Sequence, residues 1–443
     1  MMGPYDAPGI YVEEVPGGAR PIAPVGTSTA GFVGRAPTDA AIDEPKIVNS
    51  WADYLRIYCE KKGNETLEST DLTRAVFGFF DNGGSTCWVV NIGNSKSITG
   101  TQGRRSGLDL FEAIDEIAIV AAPGFADIGS HIALTNFAAN QTFPMAILDP
   151  TKDRVTDVSQ LLEVETEGGS PQSAPAAAKP PDKKPPEKKA DKDSESDSAE
   201  GAEGADTPAP PATPPAPTSG GGLRPATSVN AAFYFPRISI KDPFTGLTVN
   251  DVPPSGHIAG VWARTDALRG VHKAPANEPL RGATGVAYRV TRQDQERLNP
   301  QGVNCIRYFA SEGIRVWGAK TLTQKGDPWE YINVRRLFNA VGRSIELGTG
   351  WMVFEPNDYT LWRSIKRDIT AYLTGVWRDG ALLGRTPQEA FFVKCDEETN
   401  PPDQRNIGIV MAVIGLAVVK PAEFVVFRLS QWAGGSQTEV VGG

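Results

Sequence analysis

Residues 70–92 read TDLTRAVFGFFDNGGSTCWVVNI, and this stretch contains one helix signal followed directly by one strand signal. Thr70 can cap a helix, and the apolar side chains at positions 72, 75, 76 and 79 recur at helical spacing. The glycines after Asn82 end that helix. The β-branched and aromatic residues from 86 to 92 then predict a strand.

The same alternation of signals continues on both sides of this stretch. Ser50 precedes another helical pattern, which begins at Trp51. Strands that alternate with helices are typical of an α/β fold, in which helices cover a sheet. We expect four further strands at 117–121, 145–148, 231–235 and 304–309, and a further helix at 256–268.

The end of the chain combines one long helix signal with several strand-like runs. Between about 357 and 378, apolar residues form one stripe and charged residues cover the other sides. Residues 390–393, 407–419 and 423–429 show little helical period. We therefore expect a small, β-rich α+β domain at 326–443, after an α/β core at 26–167 and 223–325.

Composition excludes several classes of protein. The chain has 443 residues and a net charge of -9, which offers no basic field for nucleic acid. Its four cysteines share no metal-type spacing, so we interpret them as reduced thiols. Residues 1–8 lack the pattern of a signal peptide, and the longest apolar run, 407–419, is too short for a bilayer. We expect a protein of cytosol-like solvent with no direct membrane insertion.

Residues 168–222 differ from the rest of the chain. They contain 12 of the 36 prolines and no Val, Ile, Leu, Met, Phe, Trp, Tyr or Cys. Such a segment has no large apolar side chains whose burial could offset the conformational entropy lost on ordering, so it is predicted to be disordered. Because helix and strand signals continue on both sides, the segment interrupts one folded unit rather than joining two. We interpret its charged block at 182–206 as a solvated spacer, with an acidic-basic interaction tail as the alternative.

No constellation of residues indicates catalysis. The turn GTSTA around Ser28 is like that of a serine protease, but no histidine precedes it and the three histidines share no metal spacing. The run GIRVWGAK at 313–320 departs from a phosphate-binding loop and suits a strand. Glu13 and Glu14, like other carboxylate pairs here, are adjacent and point apart on a strand. We expect no catalytic residue, metal or cofactor.

The beginning of the chain is predicted to be a strand that an extended linker joins to the core. Residues 9–15, GIYVEEV, have high β propensity and lie between Pro8 and Pro16, before a linker rich in proline and glycine. Such a strand can be donated to another subunit's sheet or can form an edge of its own domain. The residues alone leave both possibilities open for this arm, residues 1–25. A second strand of this kind lies at about 423–429.

Several ordered blocks resemble contractile tail sheath proteins of phage tails and phage-tail-like injection particles. The resemblance covers nearly all of the chain except the insertion. The matching blocks are PGIYVEEVP (8–16), GTSTAGFVG (26–34), VPPSGHIAG (252–260), ARTDALRGVHKAPAN (263–277), YINVRRL (331–337), FEPND (354–358), WRDGALLG (377–384) and KPAEFVVFR (420–428).

This resemblance implies a core of subtilisin-like topology without a catalytic site, and a small α+β C-terminal domain with exchanged terminal strands. It implies stacked hexameric rings around an inner tube protein, with baseplate and terminal cap proteins as further partners, assembled in the bacterial cytoplasm. The insertion departs from the family. The strands implied to enter neighbouring subunits carry Ile10, Tyr11, Val12, Glu13, Val15, Phe424, Val425, Val426 and Phe427.

The resemblance also makes the helix after Phe354 the candidate for the inner-tube contact. Its cations Arg363, Lys366 and Arg367 would meet carboxylates of the tube, although a solvated helix face would show the same pattern. Two alternatives to a sheath subunit are a non-contractile tail or capsid-type structural protein and, with less support, an α/β hydrolase.

Overall fold

The computed structural model describes residues 21–60, 67–101, 103–152, 155, 157–165 and 222–424. The strands in these ranges are β1 (Ala30–Gly34), β2 (Lys46–Val48), β3 (Cys87–Asn91), β4 (Thr99–Thr101), β5 (Arg104–Gly107), β6 (Ile119–Ala121), β7 (Met145–Leu148), β8 (Ala231–Phe235), β9 (Ile238–Lys241), β10 (Thr248–Val252), β11 (Glu278–Pro279), β12 (Ala283–Val286), β13 (Val303–Phe309), β14 (Gly313–Trp317), β15 (Phe391–Lys394) and β16 (Val413–Leu416). The helices are α1 (Trp51–Tyr58), α2 (Asp71–Asp81), α3 (Ile128–Gln141), α4 (Ser255–Arg269), α5 (Arg292–Leu298), α6 (Ile332–Thr349), α7 (Tyr359–Arg378), α8 (Pro387–Ala390) and α9 (Pro402–Asn406).

The main sheet has nine strands among the described residues, in the order β11-β14-β13-β8-β7-β6-β1-β3-β2. The six strands from β13 to β3 are parallel, whereas β2, β14 and β11 add antiparallel edges. Smaller sheets join β10-β9-β12, β15-β16 and β4-β5. The fold is therefore mixed α/β, as the alternation of signals predicted.

Helices cover the main sheet on both faces. Successive residues of a strand enter different apolar clusters, so Phe32 packs with α1, α2 and α4, whereas Val33 packs with α3. Strands that are buried on both faces read as continuous apolar runs, which is why these strands are visible in the sequence. Cys59, Cys87 and Cys305 lie within these interiors and Cys395 lies in a separate cluster around α7, all as free, buried thiols.

Local signals set most element boundaries. The Thr70 hydroxyl accepts a hydrogen bond from the N–H of Thr73 at 3.2 Å, and Ser50 caps α1 in the same way through Asp53. Asn82 ends α2, as its glycine-rich sequence predicted. The strands expected at 145–148 and 231–235 are confirmed without a shift, and those at 117–121 and 304–309 are shifted by one or two residues at their beginning.

The expectation of a β-rich C-terminal domain is wrong for the residues that the structure describes. Helices α6 and α7 account for most of it, and the run at 407–419 forms a strand only at Val413–Leu416. Two-stranded β15-β16 packs on α7 through Phe391 and Val393, each 8% exposed, in a cluster with Ile365. A pair of strands gains stability only when another element covers one face, and here α7 provides that cover.

Helix α6 joins the two parts of the molecule. Ile332 and Ala340 belong to the core cluster, whereas Leu337 and Val341 belong to the C-terminal cluster. Both nitrogens at the end of the Arg336 guanidinium reach Asp266 of α4, at 2.9 and 2.6 Å. The side chains of this ion pair are only 4% and 5% exposed, so it holds α6 against the core.

The chain leaves the core after residue 165 and returns at residue 222. Strands β7 and β8, on either side of this gap, pair in parallel. The N–H of Glu165 donates to the carbonyl of Arg224 at 2.7 Å, and Leu223 donates to Gln160 at 2.8 Å. The flanks of the insertion therefore lie side by side, while residues 166–221 fall outside the described ranges.

Candidate assembly surface

The small sheet β15-β16 exposes backbone edges. Lys394 pairs with Val413 and Phe391 with Leu416, and a single further bridge joins Val418 to Leu382. No other strand of the described residues joins this sheet. Unpaired N–H and C=O groups along such an edge can accept a strand from another chain.

Exposed apolar side chains lie on this sheet and on the segment that precedes β16. Residues 409–414 alternate, so that Ile409, Met411 and Val413 are 42%, 44% and 41% exposed while the residues between them pack on the C-terminal cluster. Phe392 of β15 is 57% exposed. The two-residue alternation of a half-buried strand thus extends beyond β16, where no other strand of the described residues pairs with it, and its exposed apolar side chains indicate a contact surface.

The base of the N-terminal arm lies on α6. Ile22 is 7% exposed and packs in the C-terminal cluster, and a side chain on Gly348 would approach its Cγ1 to 2.7 Å. The N–H of Val25 donates to the Ser344 hydroxyl at 3.0 Å. The arm therefore starts from the C-terminal domain of its own subunit, whereas the candidate residues Ile10–Val15 lie outside the described ranges.

At the other end, only part of the candidate donated strand is described. Phe424 is 78% exposed. Val425, Val426 and Phe427 lie outside the described residues.

The three candidate tube-contact cations are all exposed on α7, but they differ in their surroundings. Arg363 lies over the ring of Tyr359, 5.8 Å from its centre. Arg367 donates to the carboxylate of Asp368 at 2.9 Å, and that carboxylate is 1% exposed. Lys366 has no ion pair among the described residues. Arg367 therefore compensates a buried charge of its own helix, which the apolar stripe alone did not reveal.

A cluster of polar side chains around Glu423 was also not predicted from the sequence. One of its carboxylate oxygens lies 3.5 Å from the Lys320 ammonium and 3.1 Å from the Tyr331 hydroxyl, while the other accepts from Asn299. Burial and the Glu423 carboxylate raise the pKa of Tyr331 to about 12. These groups are separated by up to 124 positions in the chain, so no local signal indicates their meeting.

The residues weighed for catalysis do not form a site. Ser28 is half-buried just before β1, as a loop-to-strand transition predicts. His131 contacts the Asp149 carbonyl, and burial lowers its pKa to about 4. The described residues hold no group of three or more His, Cys, Asp or Glu side chains arranged for a metal, and none of their helices could cross a membrane. Residues 313–317 form β14, the strand predicted there.

Comparison with known proteins identifies related chains. Residues 226–322 match the phage tail sheath protein central domain, and residues 324–431 match the phage tail sheath C-terminal domain. The tail sheath protein of Vibrio phage KVP40 is 34% identical over 179 residues, which cover 40% of this chain and 25% of that protein. A putative prophage major tail sheath protein of Pseudomonas aeruginosa is 27% identical, over 44% of this chain and 51% of that protein.

Solved structures match over almost the whole chain. The anti-feeding prophage helical sheath in its contracted state has a TM-score of 0.66 and 28% identity, covering 96% of this chain and 99% of that one. The sheath complex of an extracellular contractile injection system, PVC, in its contracted state has a TM-score of 0.68 at 24% identity, covering 98% and 99%.

These matches place the fold in the class of sheath subunits. Residues 226–322 and 324–431 belong to the phage tail sheath protein family, and the matching relatives and solved structures are sheath proteins of phages and of phage-tail-like injection particles. It spans about a quarter to a half of the length of the two curated relatives described above.

Proposed function

We propose that this chain is the structural subunit of a contractile sheath, which polymerises helically around an inner tube and contracts to drive that tube through a target envelope. The observation that carries the proposal is the two-stranded sheet β15-β16, with its unpaired edge and its outward apolar residues Ile409, Met411 and Val413. A surface of this kind is completed by strands from other chains.

The donated strands in this proposal are Ile10–Val15 of the arm and a C-terminal strand from about residue 423 to 429. The arm is well placed to leave its own subunit because its base is fixed at Ile22 and followed toward the N-terminus by a stiff, proline-containing linker. Each strand would contribute several backbone hydrogen bonds at about 0.5–1.5 kcal/mol apiece. Such links can hinge without parting when neighbouring subunits move.

Contraction in this proposal requires no active site. The extended array is metastable, and the subunits exchange one set of contacts for another of lower free energy. The work then comes from the difference in buried interface between the extended and the contracted array. The free energy that drives it is stored when the extended array assembles. In this scheme the core has a subtilisin-like topology that serves only as a scaffold, and the protein is not an enzyme.

The partners in this proposal are further copies of the chain in stacked hexameric rings, the inner tube, and baseplate and terminal cap proteins. Arg363 and Lys366 are the exposed α7 cations that we assign to the tube contact, because Arg367 is already paired with Asp368. A contact that must release on firing should be polar and screened by salt. Assembly would take place in the bacterial cytoplasm.

Electron microscopy of the assembled particle tests the proposal. A sheath subunit should give two kinds of cylinder, long and narrow or short and wide, around a thinner tube. Cylinders of a single length, with no separate inner tube, would instead indicate a non-contractile tail or capsid-type protein.

A further inference from the structure

We propose that Glu423 anchors the C-terminal segment to its own subunit, and so fixes the point from which the donated C-terminal strand departs. This inference rests on the strand donation proposed above, and it names the side chains that position the donor. Glu423 follows Pro421 and lies next to Phe424, the last residue that the structure describes.

The anchor is built from groups of the core and of the junction before α6. The Lys320 ammonium, 6% exposed, lies 2.8 Å from a Glu330 oxygen and 3.5 Å from a Glu423 oxygen. It therefore bridges two carboxylates from different segments. Because this ammonium is shielded from water, its attraction to Glu423 is screened less than that of a surface pair.

The backbone that carries this ammonium is itself fixed. The Lys320 N–H donates to the Asn304 side-chain oxygen at 2.7 Å, and the Asn304 amide donates back to the Lys320 carbonyl at 2.7 Å. Asn304 is fully buried in β13. The charge that meets Glu423 is thus held by the main sheet rather than by a mobile loop.

Two further donors give the anchor its direction. The Tyr331 hydroxyl donates to the same Glu423 oxygen that faces Lys320, whereas the Asn299 amide donates to the other one. The preceding segment is held as well, because the Asn333 amide donates to the Val419 carbonyl at 3.2 Å. A carboxylate bound through both oxygens cannot rotate freely, so Glu423 holds the end of the described segment in one position.

The purpose of such an anchor follows from how far a donated strand must reach. A strand that starts from a fixed point can reach only the neighbour at one position and orientation. A strand on a free tail would also pair with its own open sheet or with wrong neighbours, because an exposed edge accepts any extended segment. The anchor therefore favours the productive partner over these competitors.

The test uses hydrogen exchange of the full-length chain before assembly, followed by electron microscopy after assembly. In Glu423→Gln the ion pair is lost, and in Asn299→Asp a carboxylate faces Glu423. Each single variant should exchange about tenfold faster in peptides that cover residues 419–424. Each should also give fewer complete sheaths at equal protein concentration.

The double variant separates a specific bond from general damage. Combining Asn299→Asp with Glu423→Gln exchanges the donor and the acceptor of the Asn299 bond, although the Lys320 ion pair stays lost. The double variant should therefore exchange more slowly, and assemble better, than the sum of the two single effects predicts. The matched control is Glu44→Gln, which removes a carboxylate paired with Lys46 at an exposed site away from β15-β16, where Glu44 is 63% exposed. This control should behave like the parent chain.

Unchanged exchange at 419–424 in both single variants would overturn the anchor. Strictly additive effects of the two substitutions would also overturn it, because the side chains at 299 and 423 would then not be in contact. Truncation after residue 424 tests the underlying donation separately. A truncated chain that still forms normal sheaths would refute donation of the C-terminal strand, whatever the exchange of the full-length variants shows.

Discussion

Arg336 joins three parts of the chain through one buried guanidinium. It pairs with Asp266 through two nitrogens, donates to the Thr27 carbonyl at 2.9 Å, and lies 4.7 Å from the centre of the Trp262 ring. In Arg336→Met, Asp266 loses its partner inside the protein. We expect the free energy of unfolding to fall by about 3–5 kcal/mol, measured by urea denaturation.

The control for this prediction is an ion pair of the same type at the surface. Arg292 and Glu296 lie 3.1 Å apart, but the two side chains are 89% and 64% exposed. Arg292→Met should therefore cost less than about 1 kcal/mol. Equal effects of the two substitutions would show that the Arg336 pair does not join the domains.

Two buried histidines make stability depend on pH. Burial lowers the pKa of His131 and of His257 to about 4, from an ordinary value of 6.5. The unfolded chain therefore binds protons that the folded chain excludes, so stability falls as the pH drops from about 6.5 towards 4. Asp149 acts in the opposite direction, because burial raises its pKa to about 6 and the folded state retains that proton.

At pH 5, the parent chain should be less stable than at pH 7 by about 2 kcal/mol, and His257→Met should reduce this difference to less than about 1 kcal/mol. Urea denaturation at both pH values provides the measurement. His257 suits this test because it is fully buried and neither ring nitrogen has a hydrogen-bond partner among the described residues. An unchanged pH dependence would mean that His257 is protonated equally in both states.

Helix α7 offers a direct test of the tube contact. Arg363→Glu combined with Lys366→Glu reverses two exposed charges, so the monomer should keep its stability while sheaths assemble poorly on the tube or contract early. Electron microscopy counts extended particles and thermal melting follows the monomer. Normal extended particles would assign the tube contact to another surface.

The matched variant on the same helix is Arg367→Glu. This substitution places a second carboxylate beside Asp368, which is 1% exposed. We expect it to lower the melting temperature of the monomer itself, unlike the other two reversals, because it leaves a buried charge without compensation. For this reason Arg367 should not be used as a probe of tube binding.

The insertion offers a second test at the level of elements. Its flanks are already joined, because Glu165 donates to Arg224 and Leu223 donates to Gln160. Replacing residues 166–221 by a short glycine linker should leave the monomer as stable as before or up to about 2 kcal/mol more stable, since the loop to be closed is shorter. Thermal melting and electron microscopy check this expectation, and loss of folding or of contraction would show a structural role.

For the whole molecule, the key prediction concerns the arm. Deleting residues 1–16 should leave a folded monomer that no longer forms tubes. We expect the monomer to fold without this segment, because in this proposal the segment pairs with a neighbouring subunit rather than with its own core. The deletion stops before Ile22, which packs in the C-terminal cluster. Light scattering of the assembly reaction and melting of the monomer measure the two effects.

Two further variants sharpen the arm prediction. Val12→Pro removes one backbone donor from the proposed ladder and should weaken assembly without changing the melting of the monomer. Deletion through residue 25 should destabilise the monomer as well, because Ile22 and the Val25–Ser344 hydrogen bond are lost. A chain without residues 1–16 that forms normal sheaths would refute donation by the arm.

The sequence alone determined the elements with local causes. Thr70 and Ser50 mark helix starts because a side-chain cap involves residues only three positions apart. The parallel strands were visible because burial on both faces makes them apolar throughout. The family was also readable, since its blocks are long and ordered.

The tertiary structure alone decided the strand order and the charged contacts. Helix α6 was not predicted, although its apolar residues recur at helical spacing, and its buried polar residues Asn333, Arg336 and Asn339 could not be assigned partners from the sequence. Their partners lie far away in sequence, as Asp266 does for Arg336. Contacts of this kind depend on how the chain closes its loops in space, and a local pattern carries no information about that closure.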